Sequence, residues 1–139
     1  MVYLGLDIGD KRIGISVSTS GIFASGVETY YRTSLKNDCQ HILELVKKYN
    51  VDIIVAGLPK HLNGDNHQQA EKNEVLCSAL REQGCKIDYF DERLTSAAAE
   101  KAMLEADLSR KKRKENIDKL AAVIILQDYL DTKGGGFKL

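Results

Sequence analysis

Three acidic residues stand at positions from which they could act together in one reaction: Asp7, Glu92 and Asp118. Asp7 interrupts an apolar strand pattern, Glu92 directly follows another, and Asp118 falls in the expected first turn of an apolar helix. An ionised carboxylate in such surroundings is costly unless a cation or a hydrogen-bond donor meets it. Carboxylate oxygens are hard ligands for Mg²⁺ or Mn²⁺, which can activate water against a phosphodiester. The three acids therefore predict a divalent-metal site for phosphodiester hydrolysis.

Each of these acids also has a structural explanation. Asp7 could accept hydrogen bonds from backbone N–H groups of the turn that follows it. Asp118 could favour the positive end of a helix dipole, and Glu92 could form a surface ion pair with Arg93 or Lys11. Taken one at a time, the acids leave these alternatives open.

Cations that could hold phosphates near the acids are concentrated locally. Lys plus Arg and Asp plus Glu each number 20, so the formal net charge is zero and no global field favours nucleic acid. Residues 110–114 are nevertheless five consecutive cations, a run that could instead be a solvated loop. The expected nucleic-acid-binding residues are Lys11, Arg12, Arg93, Arg110, Lys111, Lys112, Arg113 and Lys114.

Length and composition favour one domain. The 139 residues can bury a core of their own, which we expect over residues 1–133, with a flexible glycine-rich tail at 134–139. Cys39, Cys77 and Cys85 lack C-x-x-C spacing, which argues against a disulfide scaffold or a zinc site. The odd cysteine count and the lack of a long apolar run predict a cytoplasmic protein away from the membrane.

The hydrophobic pattern predicts an α/β fold with a five-stranded mixed sheet and helices on both faces. Two strands flank a Gly-Asp-Lys-Arg turn and a third follows, which predicts an antiparallel meander; two later strands are expected to be parallel. The predicted later elements are a helix from Ser34 to Asn50, strand 52–57, helix 67–83, strand 86–90, helix 95–106 and helix 116–131.

Four sequence blocks, in their order and spacing, resemble the YqgF/RuvX family over nearly the whole chain. The blocks are Asp7-Ile8-Gly9-Asp10-Lys11-Arg12-Ile13-Gly14, Gly57-Leu58-Pro59-Lys60, Asp91-Glu92-Arg93-Leu94-Thr95-Ser96, and Asp118-Lys119-Leu120-Ala121-Ala122 with Ile125-Leu126-Gln127. The resemblance implies an RNase H-like fold and a bacterial nuclease. Members are described provisionally as Holliday junction resolvases and as nucleases that mature the precursor of 16S ribosomal RNA.

By the same resemblance, the family's acids fall on Asp7, Glu92 and Asp118, the residues already singled out by their positions. One departure is visible in the loop at 59–66. The family often carries an Asn-Met-Asp-Gly-like segment there, whereas this chain has Asn63 in place of the acid. The loop is therefore not counted among the metal ligands.

The leading hypothesis is a Mg²⁺- or Mn²⁺-dependent nuclease that acts on structured RNA, with a pre-ribosomal particle as a possible partner. The first alternative is the same chemistry on branched DNA, which would call for a dimer. No pattern marks a dimer face, so we expect a monomer or a weak homodimer. A second alternative is a non-catalytic RNA-binding assembly factor. The Asp-x-Gly segment also looks like the phosphate loop of actin, sugar kinases and heat-shock chaperones, but their second such segment is not present.

Overall fold

The structure is a computed structural model that describes the backbone of residues 1–58, 64–91 and 110–134. The elements are β1 (Tyr3–Ile8), β2 (Arg12–Ser18), β3 (Ser25–Tyr31), α1 (Leu35–Tyr49), β4 (Ile53–Leu58), α2 (Gly64–Glu82), β5 (Ile87–Asp91), α3 (Arg110–Tyr129) and a π-helical turn (Leu130–Gly134). Within these ranges, no helix combines the length and the apolarity that crossing a bilayer requires.

The five strands form one mixed sheet in the order β3-β2-β1-β4-β5. Neighbouring strands β1, β2 and β3 are antiparallel, whereas β1, β4 and β5 are parallel to one another. The predicted antiparallel meander followed by two parallel strands is therefore confirmed. The carboxyl ends of β1, β4 and β5 consequently share one edge of the sheet, the edge at which α/β proteins place their sites.

Side chains of β1 alternate between the two faces of the sheet, as the strand period requires. Leu4, Leu6 and Ile8 belong to the core formed with α1 and α2. Tyr3 faces the other way and packs in a second core with α3, so helices cover both faces. The same alternation assigns Asp7 to the α3 face. The apolar run in β1 is thus interrupted on only one side of the sheet.

Helix α3 lies unusually close to the sheet because the strands beneath it carry very small residues. A methyl group added to Gly14 would lie 1.8 Å from the carbonyl oxygen of Asp118. Ser16 donates a hydrogen bond from its hydroxyl to the carbonyl oxygen of Ala122 at 2.8 Å. Ala122 is fully buried, and its small side chain allows this close approach. Helix and sheet therefore meet backbone to backbone.

Two predicted boundaries are wrong. The last helix begins at Arg110 rather than Asn116, because Arg and Lys are good helix formers and no Gly or Pro separates them from the apolar run. Helix α2 begins at Gly64 rather than His67. The helix predicted at 95–106 and residues 135–139 of the predicted tail lie outside the described residues.

The close packing of α3 on Gly14 predicts the outcome of a matched pair of substitutions. Gly14→Ala places a methyl group against backbone that cannot yield, so we expect a loss of about 3 kcal/mol of unfolding free energy. Gly26→Ala on β3 meets only the flexible Lys119 side chain, whose Cγ lies 2.8 Å from the added atom, and we expect a loss below about 1 kcal/mol. Urea denaturation of the two variants compares these costs. Equal costs would contradict the packing described here.

Candidate active site

Asp7 and Asp118 lie on the same face of the sheet. Asp7 of β1 is paired with Gly14 of β2, and directly opposed residues of an antiparallel pair present their side chains to one face. That face is the one covered by α3, since a side chain on Gly14 would point at the Asp118 backbone. Asp7 is half-buried, and Asp118 is 8% exposed. The structure therefore places Asp118 over Gly14, the cross-strand partner of Asp7, and brings these two predicted site residues to the same face of the sheet.

Asp118 is paired with Arg12 in this structure. Nε of Arg12 donates to Oδ2 of Asp118 at 2.7 Å. Arg12 precedes Gly14 by two residues on β2, and so its side chain shares the α3 face. The guanidinium offsets the negative charge of Asp118 at a partly solvated position. Arg12 was predicted to bind nucleic acid, and in the described structure it contacts one of the predicted metal-binding acids.

Asp118 is not in the first turn of its helix. Because α3 begins at Arg110, Asp118 falls in the third turn, whereas the effect of the helix dipole fades within the first. The dipole explanation for Asp118 is therefore wrong. Asp118 is instead buried against the sheet, where its carboxylate contacts Arg12.

The third predicted acid, Glu92, lies outside the described residues, as does Arg93. Strand β5 ends at Asp91 and is parallel to β1. Its end therefore lies at the carboxyl edge of the sheet, near which Asp7 also lies. Within the ranges 1–58, 64–91 and 110–134, no cluster of three or more His, Cys, Asp or Glu side chains could hold a metal ion. The described site is thus an acid pair.

The basic run at residues 110–114 forms the start of α3, so the alternative that it is a loop is wrong. Leu126 lies over Gly5 of β1, and Asp118 lies over Gly14, the β2 partner of Asp7. The helix is therefore antiparallel to β1. The residues before Asp118 continue in the same direction for about 12 Å. The basic segment therefore extends beyond the acid pair at the carboxyl edge of β1.

The turn between β1 and β2, residues 9–11, is held by a buried ion pair on the α1 side. Nη1 of Arg32 donates to the carbonyl oxygen of Gly9 at 2.9 Å, and the Arg32 backbone N–H donates to Lys11. Nε of Arg32 contacts Oδ2 of Asp38 at 2.8 Å, and Asp38 is only 2% exposed. This connection fixes the turn from which Arg12 reaches Asp118.

Asp38 is surrounded by hydrogen-bond donors. Burial by itself would raise the pKa of the Asp38 carboxyl, but donors from Arg32, the Thr33 backbone and the Tyr30 hydroxyl outweigh it and hold that pKa below its usual range. Asp38 is not among the site residues predicted from the sequence. A signal was present, since Asp38 precedes Ile42 by one helical turn and so lies on the apolar face of α1.

Solved structures share this fold. The chain matches the Thermus thermophilus RuvC structure in complex with a Holliday junction substrate with a TM-score of 0.65 and 14% identity, covering 97% of this chain and 98% of that one. The fowlpox virus Holliday junction resolvase matches with a TM-score of 0.55 and 14% identity, covering 95% and 99%. These likenesses define the fold as RNase H-like, which confirms the predicted fold class.

The family follows from closer relatives. The RuvX family model, described as Holliday junction resolvase, matches residues 1–132. A Clostridium tetani protein is 50% identical over 134 residues, covering 95% of this chain and 97% of that protein. A Heliobacterium modesticaldum protein is 48% identical over 135 residues, covering 96% and 91%. Both carry the provisional name pre-16S rRNA nuclease. The chain belongs to the RuvX family, which is a family of nucleases.

The lowered pKa of Asp38 predicts how stability depends on pH. A carboxylate with a lowered pKa in the folded state stabilises it above the ordinary Asp pKa of about 4, and this contribution is lost as pH falls through the lowered value. Asp38→Asn should therefore cost about 3 kcal/mol near neutral pH, because it breaks a buried ion pair. The difference from wild type should shrink below pH of about 4.

Urea denaturation across this pH range measures both effects. Glu44→Gln is the matched control, since Glu44 lies on the exposed side of α1. It should change stability by less than about 0.5 kcal/mol. A deficit for Asp38→Asn that stays constant down to low pH would contradict a lowered pKa.

Proposed function

We propose that the protein is a divalent-metal-dependent nuclease that hydrolyses phosphodiester bonds of structured RNA and processes the 16S ribosomal RNA precursor in the cytoplasm. The observation that carries this proposal is the acid pair Asp7 and Asp118, brought together over Gly14. The names of relatives at about half identity support the choice of substrate. A pre-ribosomal particle is the partner that this substrate implies.

Asp7, Asp118 and Glu92 would together hold Mg²⁺ or Mn²⁺. The donor set fits such an ion, because the two described acids offer hard oxygen ligands on one sheet face at the edge where the parallel strands end. When bound, the ion supplies Lewis acidity that makes water a better nucleophile and offsets charge on the leaving oxygen. Glu92 is assigned by its place in the family's sequence pattern, one residue after the end of β5.

Arg12 holds Asp118 in the described geometry and neutralises its charge. Its position beside the acid pair also suits a contact with a substrate phosphate, because the N–H donors of a guanidinium match the geometry of phosphate as well as carboxylate oxygens. Lys11, Arg93 and the basic segment 110–114 would hold the neighbouring phosphates. The path of the nucleic acid would then run along the carboxyl edge of the sheet and over the first turns of α3.

Substitution of the acids tests the chemistry. Asp7→Asn and Asp118→Asn should each slow Mg²⁺-dependent cleavage of a ribosomal RNA precursor by about a hundredfold or more. Each removes one carboxylate ligand of an ion that stabilises charge in the transition state by several kcal/mol. Manganese binding, measured by calorimetry, should weaken in parallel. Asp52→Asn is the control. Asp52 directly precedes β4 at the opposite edge, where its Oδ2 accepts a hydrogen bond from the Val2 backbone, and this variant should keep full activity.

Wild-type activity in Asp7→Asn would remove Asp7 from the mechanism. Wild-type protein that cuts neither an RNA precursor nor a DNA junction would favour the non-catalytic assembly factor instead. In that case the acids would be structural, and folding would be the same with and without metal.

Substitution of the basic segment tests nucleic-acid binding. Replacing Lys111, Lys112 and Lys114 together by Gln should reduce the slope of log affinity against log salt concentration by about 2, since each phosphate contact contributes about 0.7 to 0.9. Replacing Lys47 and Lys48, in the last turn of α1, is the control. Their loss should leave the slope unchanged. Equal effects of the two sets would contradict a specific role for the basic segment.

Cleavage of branched DNA is the second candidate, favoured by the description of the RuvX family. A resolvase cuts two strands symmetrically and therefore needs two active sites related by symmetry. Mass measurement of the protein on a four-way junction, with the products mapped, separates the two candidates. A monomer that cuts only RNA would exclude the resolvase, whereas a dimer with paired symmetric cuts would establish it.

A further inference from the structure

Tyr31 is an exposed aromatic residue on the sheet face that carries the acid pair. It ends β3, an edge strand, and 55% of it is exposed. Its partner across the strands is Arg12, which contacts Asp118. Tyr30 faces the opposite side, where its ring stacks on His41 of α1 with centroids 4.2 Å apart. Strand alternation therefore directs Tyr31 to the α3 face.

Register gives the separation between Tyr31 and the acid pair. Asp7 lies on β1, and β2 separates β1 from β3. Along the strand direction, the cross-strand pair of Arg12 and Tyr31 lies two residues from the pair of Asp7 and Gly14. Strand spacing and rise place Tyr31 about 12 Å from Asp7. A phosphate bound by the acids would leave the base of a nearby nucleotide within reach of the ring.

A cavity of about 570 Å³ adjoins this strand end. Its volume is in the range that holds a small ligand. The cavity lies on the α1 side of the sheet, since Asp38 of α1 and Lys72 of α2 line it. Tyr31 and Lys11 also belong to its lining, at the end of β3. The charges that face it are mixed: Lys72 pairs with Asp10 at 2.9 Å and Arg32 with Asp38, whereas Lys11 makes no ion pair with the described residues. Because the other charges are paired, Lys11 gives the cavity lining a formal net charge of +1.

We propose that Tyr31 stacks on an unpaired base of the nucleic-acid strand, within about two nucleotides of the phosphate bound at the acid pair. An exposed ring beside cations is the arrangement by which proteins bind single strands without sequence preference. Past Tyr31, the single strand would cross the end of β3 toward the cavity on the α1 side, where Lys11 would contact a phosphate. This site rests on the proposed function and refines it, because it selects RNA with an unpaired segment beside the cut.

A fluorescent reporter tests the stacking directly. The chain contains no Trp, so Tyr31→Trp introduces a single Trp, whose emission can be excited separately from that of the Tyr residues. In the presence of EDTA, which prevents cleavage, a short single-stranded RNA should quench its emission. Phe23→Trp is the control, because Phe23 is 74% exposed in the connection between β2 and β3, away from the carboxyl edge of β1. Equal responses of the two reporters would overturn the proposal.

Affinity measurements provide the second test. Tyr31→Ala should weaken binding of labelled single-stranded RNA by about tenfold in fluorescence anisotropy, whereas Tyr31→Phe should bind like wild type because the ring stacks. Blunt duplex RNA should bind Tyr31→Ala and wild type equally. Unchanged binding of single strands, or an equal loss for duplex and single strand, would refute stacking on an unpaired base.

The outcomes separate this proposal from the proposed function. Quenching of Tyr31→Trp by RNA, together with wild-type protein that cuts no substrate, would support the stacking site and reject the nuclease. Metal-dependent cleavage of an RNA precursor without quenching would support the nuclease and reject the stacking site. A Tyr31 that contacts a protein partner instead would show neither quenching nor loss of RNA affinity.

Discussion

The approach of α3 to Gly14 is the contact on which the rest of the site depends. A residue with any side chain at that position would hold the helix away from the sheet, and Asp118 with it. The hydrogen bond from Ser16 to Ala122 requires the same short distance one turn further along the helix. The acid pair is therefore a property of the packing between two elements, because neither strand nor helix alone could place Asp118 over the glycine that pairs with Asp7.

The other face of the sheet contributes to the site by a different means. Arg32 joins the buried carboxylate of Asp38 to the backbone of the turn between β1 and β2. That turn leads directly into Arg12, which neutralises Asp118 on the α3 side. Charges are thus paired on both sides of the turn. In the described structure, Arg12 spares Asp118 the repulsion of unpaired like charges, which would be costly in a partly buried position.

Patterns with a clear period were predictable from the sequence. The alternation of β1 and β2 and the continuous apolar run of β4 predicted the mixed sheet, and the interrupted alternation of β1 pointed to Asp7. The predicted start of α3 is too late, because a run of cations has no apolar period from which a helix can be predicted. Asp38 was missed for a related reason. Its partner Arg32 precedes the helix, and only the fold shows that the two meet.

Placement of the basic segment and Asp118 on one uninterrupted helix ties their directions together. An α-helix advances by about 100° per residue, so a single residue inserted between 114 and 118 would rotate the cations by that angle around the axis relative to the acid. Four inserted residues would nearly restore the angle and shift the cations outward by about 6 Å. Length changes in this part of the chain would therefore act periodically on RNA binding, while the fold of the sheet below stays the same.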